Sequence, residues 1–229
     1  MSIEFFTHDA YQQHNRRRQE HLASLLLPIA GRTVLELGAG IGDHTSFFLD
    51  RGCRVTATDA REENLAHLRA RFPTVTARVV DVERDLPADL PAHDIVYAYG
   101  VLYHLSDPLS ALTRIASLTK DMLLLETCVS FGAEETINAV AENVNDPTQA
   151  ANGLGCRPTR LLLFNTLKRL FPYVYVPRTQ PWHDEFPTNW LERAPANATR
   201  LYRSIFVAAR TPLKSAMLAG GLLSIQTKE

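Results

Sequence analysis

The segment 36–43, ELGAGIGD, carries glycines at alternate positions. It ends a short apolar run at 33–37 and precedes a segment, 43–51, that we interpret as a helix with Asp43 as its N-cap. Glycines permit positive φ and remove side chains, so backbone N–H groups and a helix start can approach a ligand closely. The turn therefore predicts a site for a nucleotide-like ligand between a strand and a helix.

Strands and helices alternate along much of the chain around this turn. Because parallel neighbours need crossover connections, usually helices, the alternation predicts an α/β fold with a doubly wound, mostly parallel seven-stranded sheet flanked by helices. The predicted strands are 33–37, 54–58, 75–80, 94–98, 122–126, 173–176 and 201–210. The predicted helices are 8–27, 43–51, 61–71, 106–118 with Ser106 as a plausible cap, and 159–170.

The length of 229 residues favours a single domain. The alternation breaks at 127–157, an insertion with a short helix around 134–142 that we expect to serve as a lid or substrate wall. A long loop is expected over 178–198. The domain divides into an N-terminal helical segment 1–30, a cofactor-binding half 31–127, an acceptor-binding insertion and C-terminal half 128–210, and a tail 211–229.

The charge balance argues against broad nucleic-acid binding. Lys and Arg number 24 against 25 Asp and Glu, which gives a net charge of −1 and no general attraction for phosphates. The basic run 16–18, RRR, is interpreted as a solvated helix face.

The cysteine count and the chain start indicate a cytoplasmic protein. The three cysteines form no CxxC pair, which fits a reducing compartment. The N-terminus shows no basic segment followed by an apolar one, and no stretch reaches the roughly 20 apolar residues that span a bilayer.

The identity of the ligand follows from the acids around the turn. The dinucleotide pattern G-x-G-x-x-G fails because Asp43 stands at its sixth position. Glu36 would repel a pyrophosphate but would tolerate, or attract through water, the ammonium and sulfonium of S-adenosylmethionine. Residues 36–42 resemble the first motif of the class I S-adenosylmethionine-dependent methyltransferases, acid-x-Gly-x-Gly-x-Gly. The resemblance covers roughly residues 33–126 and implies S-adenosylmethionine as the cofactor.

Two further carboxylates are expected to contact that cofactor. Asp59 ends the second strand, 21 positions after Gly38, where an acid can accept hydrogen bonds from both ribose hydroxyls. Asp81 ends the third strand, where the family places an acid near the adenine amino group. The predicted cofactor-binding set is Glu36, Gly38, Ala39, Gly40, Gly42, Asp59, Ala60, Asp81, Val82, Tyr99 and Gly100.

The segment after the fourth strand, GVLYH at 100–104, resembles the corresponding motif of the tRNA wobble-uridine carboxymethyltransferases. No match is found for the N-terminal extension that those enzymes carry. The resemblance therefore implies the methyltransferase class more strongly than it implies a tRNA substrate.

His104 is the candidate general base. It is expected at the carboxyl edge of the sheet, and a base that takes the proton of an alcohol acceptor contributes about 10² to 10⁴ in rate. Alternatively, His104 is a structural histidine that caps the following helix. Glu126 could orient His104 or bind acceptor hydroxyls, and as a strand-end acid it could equally be structural.

His183 is the third candidate catalytic residue. It lies in residues 180–187, QPWHDEFP, where aromatic side chains beside His and acids suit a sugar or planar acceptor, although a packed loop would have the same composition. Glu126, His183 and Asp184 could also hold a divalent metal, but no spacing requires one and no metal is predicted.

The predicted function is O-methylation of a small hydroxylated acceptor, such as a saccharide or a secondary metabolite. The alternatives are a tRNA-modifying methyl or carboxymethyl transferase and a non-catalytic cofactor-binding regulatory module. The expected partner is a small-molecule acceptor. No membrane is expected as a partner, nucleic acid is disfavoured, and a homodimer is left as an alternative to a monomer.

Overall fold

The computed structural model describes residues 3–84, 86–146, 148–150, 152–192 and 201–229. Its helices are α1 Ile3–Thr7, α2 Asp9–Ser24, α3 Thr45–Leu49, α4 Glu62–Arg71, α5 Pro108–Ser117 and α6 Arg160–Leu170, with a 3-10 turn at Leu102–His104. Its strands are β1 Thr33–Leu37, β2 Arg54–Asp59, β3 Thr76–Val79, β4 His93–Tyr99, β5 Thr119–Cys128, β6 Ile137–Ala141, β7 Leu154–Pro158, β8 Tyr173–Pro177, β9 Thr179–Gln180, β10 Arg203–Ala209, β11 Leu218–Ala219 and β12 Thr227–Lys228.

The main sheet confirms the predicted fold class. Its strand order is β11-β8-β10-β5-β4-β1-β2-β3. Strands β1 to β5 pair in parallel, whereas β10 runs antiparallel to both β5 and β8. All seven predicted strands are present, and the short β11 adds an eighth at one edge. The chain order reverses between β1 and β4, so ligands are expected at the carboxyl ends of these two strands.

Helices cover both faces of this sheet, because alternate side chains of the central strands point to opposite sides. Leu35 and Leu123 pack on one side with the apolar faces of α5 and α6. Val34 and Leu124 pack on the other with α2, α3 and α4. Each apolar layer is continuous across several strands, which holds the strand ends of the site in fixed positions.

The insertion is a β-hairpin, so the helix predicted around 134–142 is wrong. Strand β6 pairs antiparallel with β7. The segment 137–141 carries β-branched residues, and its hydrogen-bond partners come from 154–158, which a local pattern does not reveal. The Arg61 guanidinium donates to the carbonyls of Val144, Asp146 and Gln149, which ties the insertion to the start of α4.

Two predicted helix caps are also corrected. Helix α3 starts at Thr45 after His44, while the Asp43 carboxylate is engaged by Arg71 and Gln12. Helix α5 is capped by Asp107, whose side chain accepts from the Ser110 N–H at 3.1 Å. The start of α3 has no side-chain cap, because Asp43 is held by these other partners, whereas the cap of α5 lies one residue later than predicted, at Asp107 rather than Ser106.

The C-terminal tail packs against the loop that follows β8. Strand β12 pairs in parallel with β9. The Lys228 ammonium donates to the carbonyls of Pro181, His183 and Phe186. The tail therefore braces the first part of the predicted loop 178–198, of which 193–198 lie outside the described residues.

The three cysteines are buried free thiols. Across the described ranges, no helix combines the length and the apolar character that crossing a membrane requires.

Candidate active site

A cavity of about 1240 Å³ opens at the carboxyl edge of the sheet. Strand ends and the glycine turn line one part of it, the insertion lines a second part, and helix α2 with the loop before β10 lines a third. The cavity thus lies where the reversal of strand order places ligands in open α/β folds. Of the predicted residues, it brings Gly38, Gly40, Asp59 and Asp81 into a common space with His104 and His183.

The glycine turn is shaped by close packing as well as by the cavity. Gly38 has φ +62°, and a Cβ there would overlap the Val101 side chain. Gly38 and Gly40 line the cavity. Gly42 has φ +86°, and its Cβ would lie 2.9 Å from the Phe72 ring, but Gly42 is not among the residues that line the cavity. The third glycine of the predicted set therefore serves packing, whereas the first two leave space for a ligand.

Asp59 is held in a fixed orientation at the cavity wall. Its two carboxylate oxygens accept from the N–H groups of Gly40 and Arg61, each at 2.9 Å, and from the Asn64 amide at 3.2 Å. Burial raises the pKa of Asp59 above its ordinary value, although these hydrogen bonds oppose the shift. The residue lines the cavity and is 8% exposed, so its carboxylate is prepared to accept from a ligand hydroxyl.

Asp81 and several other predicted cofactor-binding residues lie along the same carboxyl edge of the sheet. Asp81 accepts from the Glu83 N–H at 2.9 Å and pairs with Arg84 at 3.2 Å. Four other members of the predicted set line the same cavity as Asp81: Ala60, Val82, Tyr99 and Gly100. Ala39 lies instead in a small separate cavity beneath the turn.

Glu36 lies in that small cavity too, behind the turn. It is 2% exposed and accepts from the Thr45 hydroxyl at 2.7 Å. Burial raises its pKa to about 8, with the carboxylates of Asp43 and Asp59 adding to the shift and Thr45 opposing it. The Glu36 carboxyl is therefore mostly protonated at neutral pH. Its attraction for a positively charged cofactor is then weak.

Glu36→Gln is expected to remove a pH-dependent cost of folding. Between the ordinary carboxyl pKa and about 8, the folded chain keeps a proton that the unfolded chain releases, so native stability falls as pH rises through this window. The glutamine variant should gain stability relative to wild type by at least about 1 kcal/mol more at pH 8.5 than at pH 5. Urea unfolding at both pH values measures the difference. The exposed Glu63→Gln is the control, and an equal effect of pH on Glu36→Gln and on this control would contradict the assignment.

His104 contacts a carboxylate from the insertion. Its Nδ1 lies 2.5 Å from Oε2 of Glu142, which also accepts from the Ala150 N–H at 2.8 Å. Burial alone would raise the pKa of Glu142, but His104, Ala150 and Arg157 lower it below its ordinary value. Both His104 and Glu142 line the cavity. The carboxylate fixes the ring, and a base held by an acid is the arrangement that proton transfer requires.

Glu126 is not the partner of His104, in contrast to the predicted role. It is fully buried, and its two oxygens pair with Arg18 of α2 and with Arg203 of β10, the latter at 3.0 Å. Burial alone would raise the pKa of Glu126, but the two guanidinium groups hold it below its ordinary value. Glu126 does not line the cavity. Its carboxylate therefore joins α2, β5 and β10 and has no free oxygen for an acceptor.

The interpretation of the basic run 16–18 as a solvated helix face is wrong for Arg18. Arg16 is exposed, whereas Arg18 is 4% exposed and also donates to Asn15 at 3.0 Å. A signal for this was present in the sequence, because His14, Arg18 and Leu22 share one helical stripe at intervals of four residues. The stripe is apolar at its C-terminal end and polar at the end nearest the cavity.

His183 lines the cavity, beside His14 and Glu185, which were not singled out from the sequence. Its ring centroid is 4.4 Å from that of His14, with the ring planes 24° apart. Oε2 of Glu185 lies 3.9 Å from Nε2 of His14 and accepts from Arg203 at 2.5 Å. Trp182 is exposed and Asp184 does not line the cavity, so neither occupies the acceptor-facing position expected for this loop.

Comparisons with known proteins agree with this architecture. Residues 34–122 match the family described as a methyltransferase domain. A protein of Mycobacterium tuberculosis described as an uncharacterized methyltransferase is 37% identical over 95 residues, which cover 42% of this chain and 38% of the relative. A tRNA U34 carboxymethyltransferase of Trichlorobacter lovleyi is 30% identical over 128 residues, covering 52% of this chain and 39% of the relative. The matches thus span about two fifths of the length of these relatives.

Among solved structures, the N-terminal domain of EvdMO1, determined in the presence of SAH and D-fucose, has a TM-score of 0.64 at 22% identity. The alignment covers 89% of this chain and 84% of that domain, which establishes a common fold. Residues 34–122 thus match a methyltransferase domain, and most of the chain shares the fold of the EvdMO1 domain.

Proposed function

We propose that this chain transfers the methyl group of S-adenosylmethionine to a hydroxyl of a small acceptor, such as a saccharide or a secondary metabolite. The observation that carries the proposal is the shared cavity, which joins Gly38, Gly40 and Asp59 to His104 and its partner Glu142. A methyl donor bound beside Asp59 and the glycines would thus face a hydroxyl held near His104.

The residues on the donor side suit an adenosyl cofactor. Asp59 offers a fixed carboxylate for ribose hydroxyls, and Asp81 stands further along the wall for the adenine. The two glycines leave room for close approach of the sulfonium end. When bound, the cofactor would supply an electrophilic methyl carbon, and the chain's task is to align the acceptor with it.

The residues on the acceptor side suit an alcohol. A hydroxyl is nearly un-ionised at neutral pH, so a base that accepts its proton accelerates transfer. His104 can take that proton at Nε2, because Nδ1 is held by the Glu142 carboxylate, which also stabilises the resulting imidazolium. Glu142 belongs to the insertion, so the segment that lines the acceptor side of the cavity also holds His104 in place.

Asp59→Asn is expected to weaken cofactor binding about 10- to 100-fold, since a hydrogen bond to a charged group contributes about 1.5–3 kcal/mol. Calorimetric titration with S-adenosylhomocysteine measures the change. Asp89→Asn, an exposed carboxylate elsewhere on the surface, is the control and should bind normally. Wild-type affinity in a folded Asp59→Asn variant would remove Asp59 from the cofactor site.

The function is tested by product analysis. The purified chain is incubated with S-adenosylmethionine and a panel of monosaccharides, hydroxylated aromatics and bulk tRNA. D-fucose belongs in the panel because it accompanies the EvdMO1 domain. Mass spectrometry finds the methylated product and NMR locates the new methyl. Attachment to nitrogen, carbon or nucleic acid would overturn O-methylation of a small acceptor.

A tRNA-modifying activity is the second candidate, and the T. lovleyi relative is the observation that favours it. The net charge of −1 speaks against it, because tRNA binding relies on phosphate contacts. Filter binding to tRNA at low salt, followed by nucleoside analysis, distinguishes the two. Salt-sensitive binding with a modified uridine would favour this candidate over the small acceptor.

A further inference from the structure

We propose that His14, His183 and Glu185 form a binding site for one divalent first-row transition metal ion, at the acceptor side of the cavity. One donor atom of each residue lies within 4.8 Å of the other two. All three residues line the cavity, so an ion held there would keep open positions toward it. Two imidazoles and one carboxylate are a donor set typical of Mn²⁺, Fe²⁺, Co²⁺ and Zn²⁺ rather than of Ca²⁺ or Mg²⁺.

The buried His14 ring supplies the first independent argument. Its Nε2 is buried and has no hydrogen-bond partner among the described residues. A buried polar atom without a partner costs about 1–3 kcal/mol, which ligation of an ion would offset.

The spacing of the donors is close to that of a bound ion. Metal–ligand bonds of about 2.0–2.2 Å place neighbouring donors about 3 Å apart, against 3.9 Å between Nε2 of His14 and Oε2 of Glu185. The His14 and His183 rings are stacked, with their centroids 4.4 Å apart and their planes 24° apart, so one ring has to rotate before both can direct a nitrogen at one ion. His183 and Glu185 are only half-buried, so small side-chain rotations can close the remaining difference.

The surroundings hold two of the donors in place. The loop that carries His183 is fixed by Lys228, which donates to the His183 carbonyl at 2.7 Å. Glu185 is held through both its backbone and its side chain, because its carbonyl accepts from the Arg203 N–H and its carboxylate from the guanidinium. Hydrogen bonds that fix ligating carboxylates are a regular feature of metal sites. The two guanidinium groups of Arg18 and Arg203 are balanced by the two carboxylates of Glu126 and Glu185, which limits their repulsion of a cation.

An ion at this site would bind an acceptor hydroxyl and lower its pKa, a role that rests on the function proposed above. Binding of the ion itself does not depend on that function. The two can therefore fail separately, because metal binding is measured without methyl donor or acceptor.

The test is titration of the full chain with Co²⁺ after treatment with a chelator. Visible absorption and calorimetry should show one ion per chain, with affinity reduced at least about 100-fold in His183→Ala and in Glu185→Gln. His67→Ala removes a histidine far from the cluster and should bind as wild type does. Circular dichroism confirms that each variant is folded.

Two results would overturn the proposal. One is the lack of saturable Co²⁺, Mn²⁺ or Zn²⁺ binding by the wild-type chain up to about 1 mM. The other is binding that persists at wild-type affinity in both folded variants. Methyl transfer that continues in excess chelator would overturn the role in acceptor activation while leaving the binding result as measured.

Discussion

Glu126→Ala is expected to lower the free energy of unfolding by about 3–5 kcal/mol, because removing one partner of a buried ion pair leaves uncompensated charge in the interior. Here two guanidinium groups, those of Arg18 and Arg203, would lose their shared carboxylate. Both side chains are at least nine-tenths buried, and only the part of each that lines the cavity can be hydrated. Urea unfolding followed by circular dichroism measures the change.

Glu20→Ala is the matched control for this experiment. Glu20 forms an ion pair with Arg17 on the same helix that carries Arg18, but both side chains are substantially exposed. Exposed pairs contribute about 0–1 kcal/mol, so this variant should stay close to wild type. If Glu126→Ala loses no more than Glu20→Ala, the buried network does not stabilise the fold in the way its geometry indicates. Should Glu126→Ala fail to accumulate, Glu126→Gln keeps the side-chain volume and allows the same comparison.

His104→Ala is expected to lower turnover by about 10² to 10⁴ while leaving cofactor binding unchanged. The reason is that His104 faces the cavity and is fixed through Nδ1 by Glu142, which leaves Nε2 to accept the acceptor's proton. Turnover is measured with the acceptor found in the product analysis, and cofactor affinity by calorimetry. Turnover within about threefold of wild type in a folded variant would exclude His104 as the base.

Two further variants separate proton transfer from a structural role. His67→Ala should be fully active, since it changes a histidine on α4 outside the cavity. Glu142→Gln keeps a hydrogen-bond acceptor for His104 but removes the negative charge, so it should lower turnover less than His104→Ala and displace the pH profile. The alternative of a helix-capping histidine predicts loss of stability only, and the structure assigns that cap to Asp107.

The region around the glycine turn was accessible from sequence because it depends on local patterns. Apolar runs, the glycine spacing and an acid after each of the second and third strands each have a short-range physical meaning. Parallel topology then places every strand's carboxyl end at the same edge. Asp59, Asp81 and His104 line one cavity at this edge.

The doubly wound sheet, the glycine turn and the edge at which the site lies could be predicted, because they follow from local spacing and from the rules that connect parallel strands. The side-chain partners could not be predicted, because they come from distant segments: Glu142 for His104, 38 residues away, and Arg18 for Glu126, 108 residues away. The same holds for the grouping of His14 with His183 and Glu185. Contacts between distant segments depend on how helices and loops pack onto the sheet. The spacing of residues along the chain does not predict that packing.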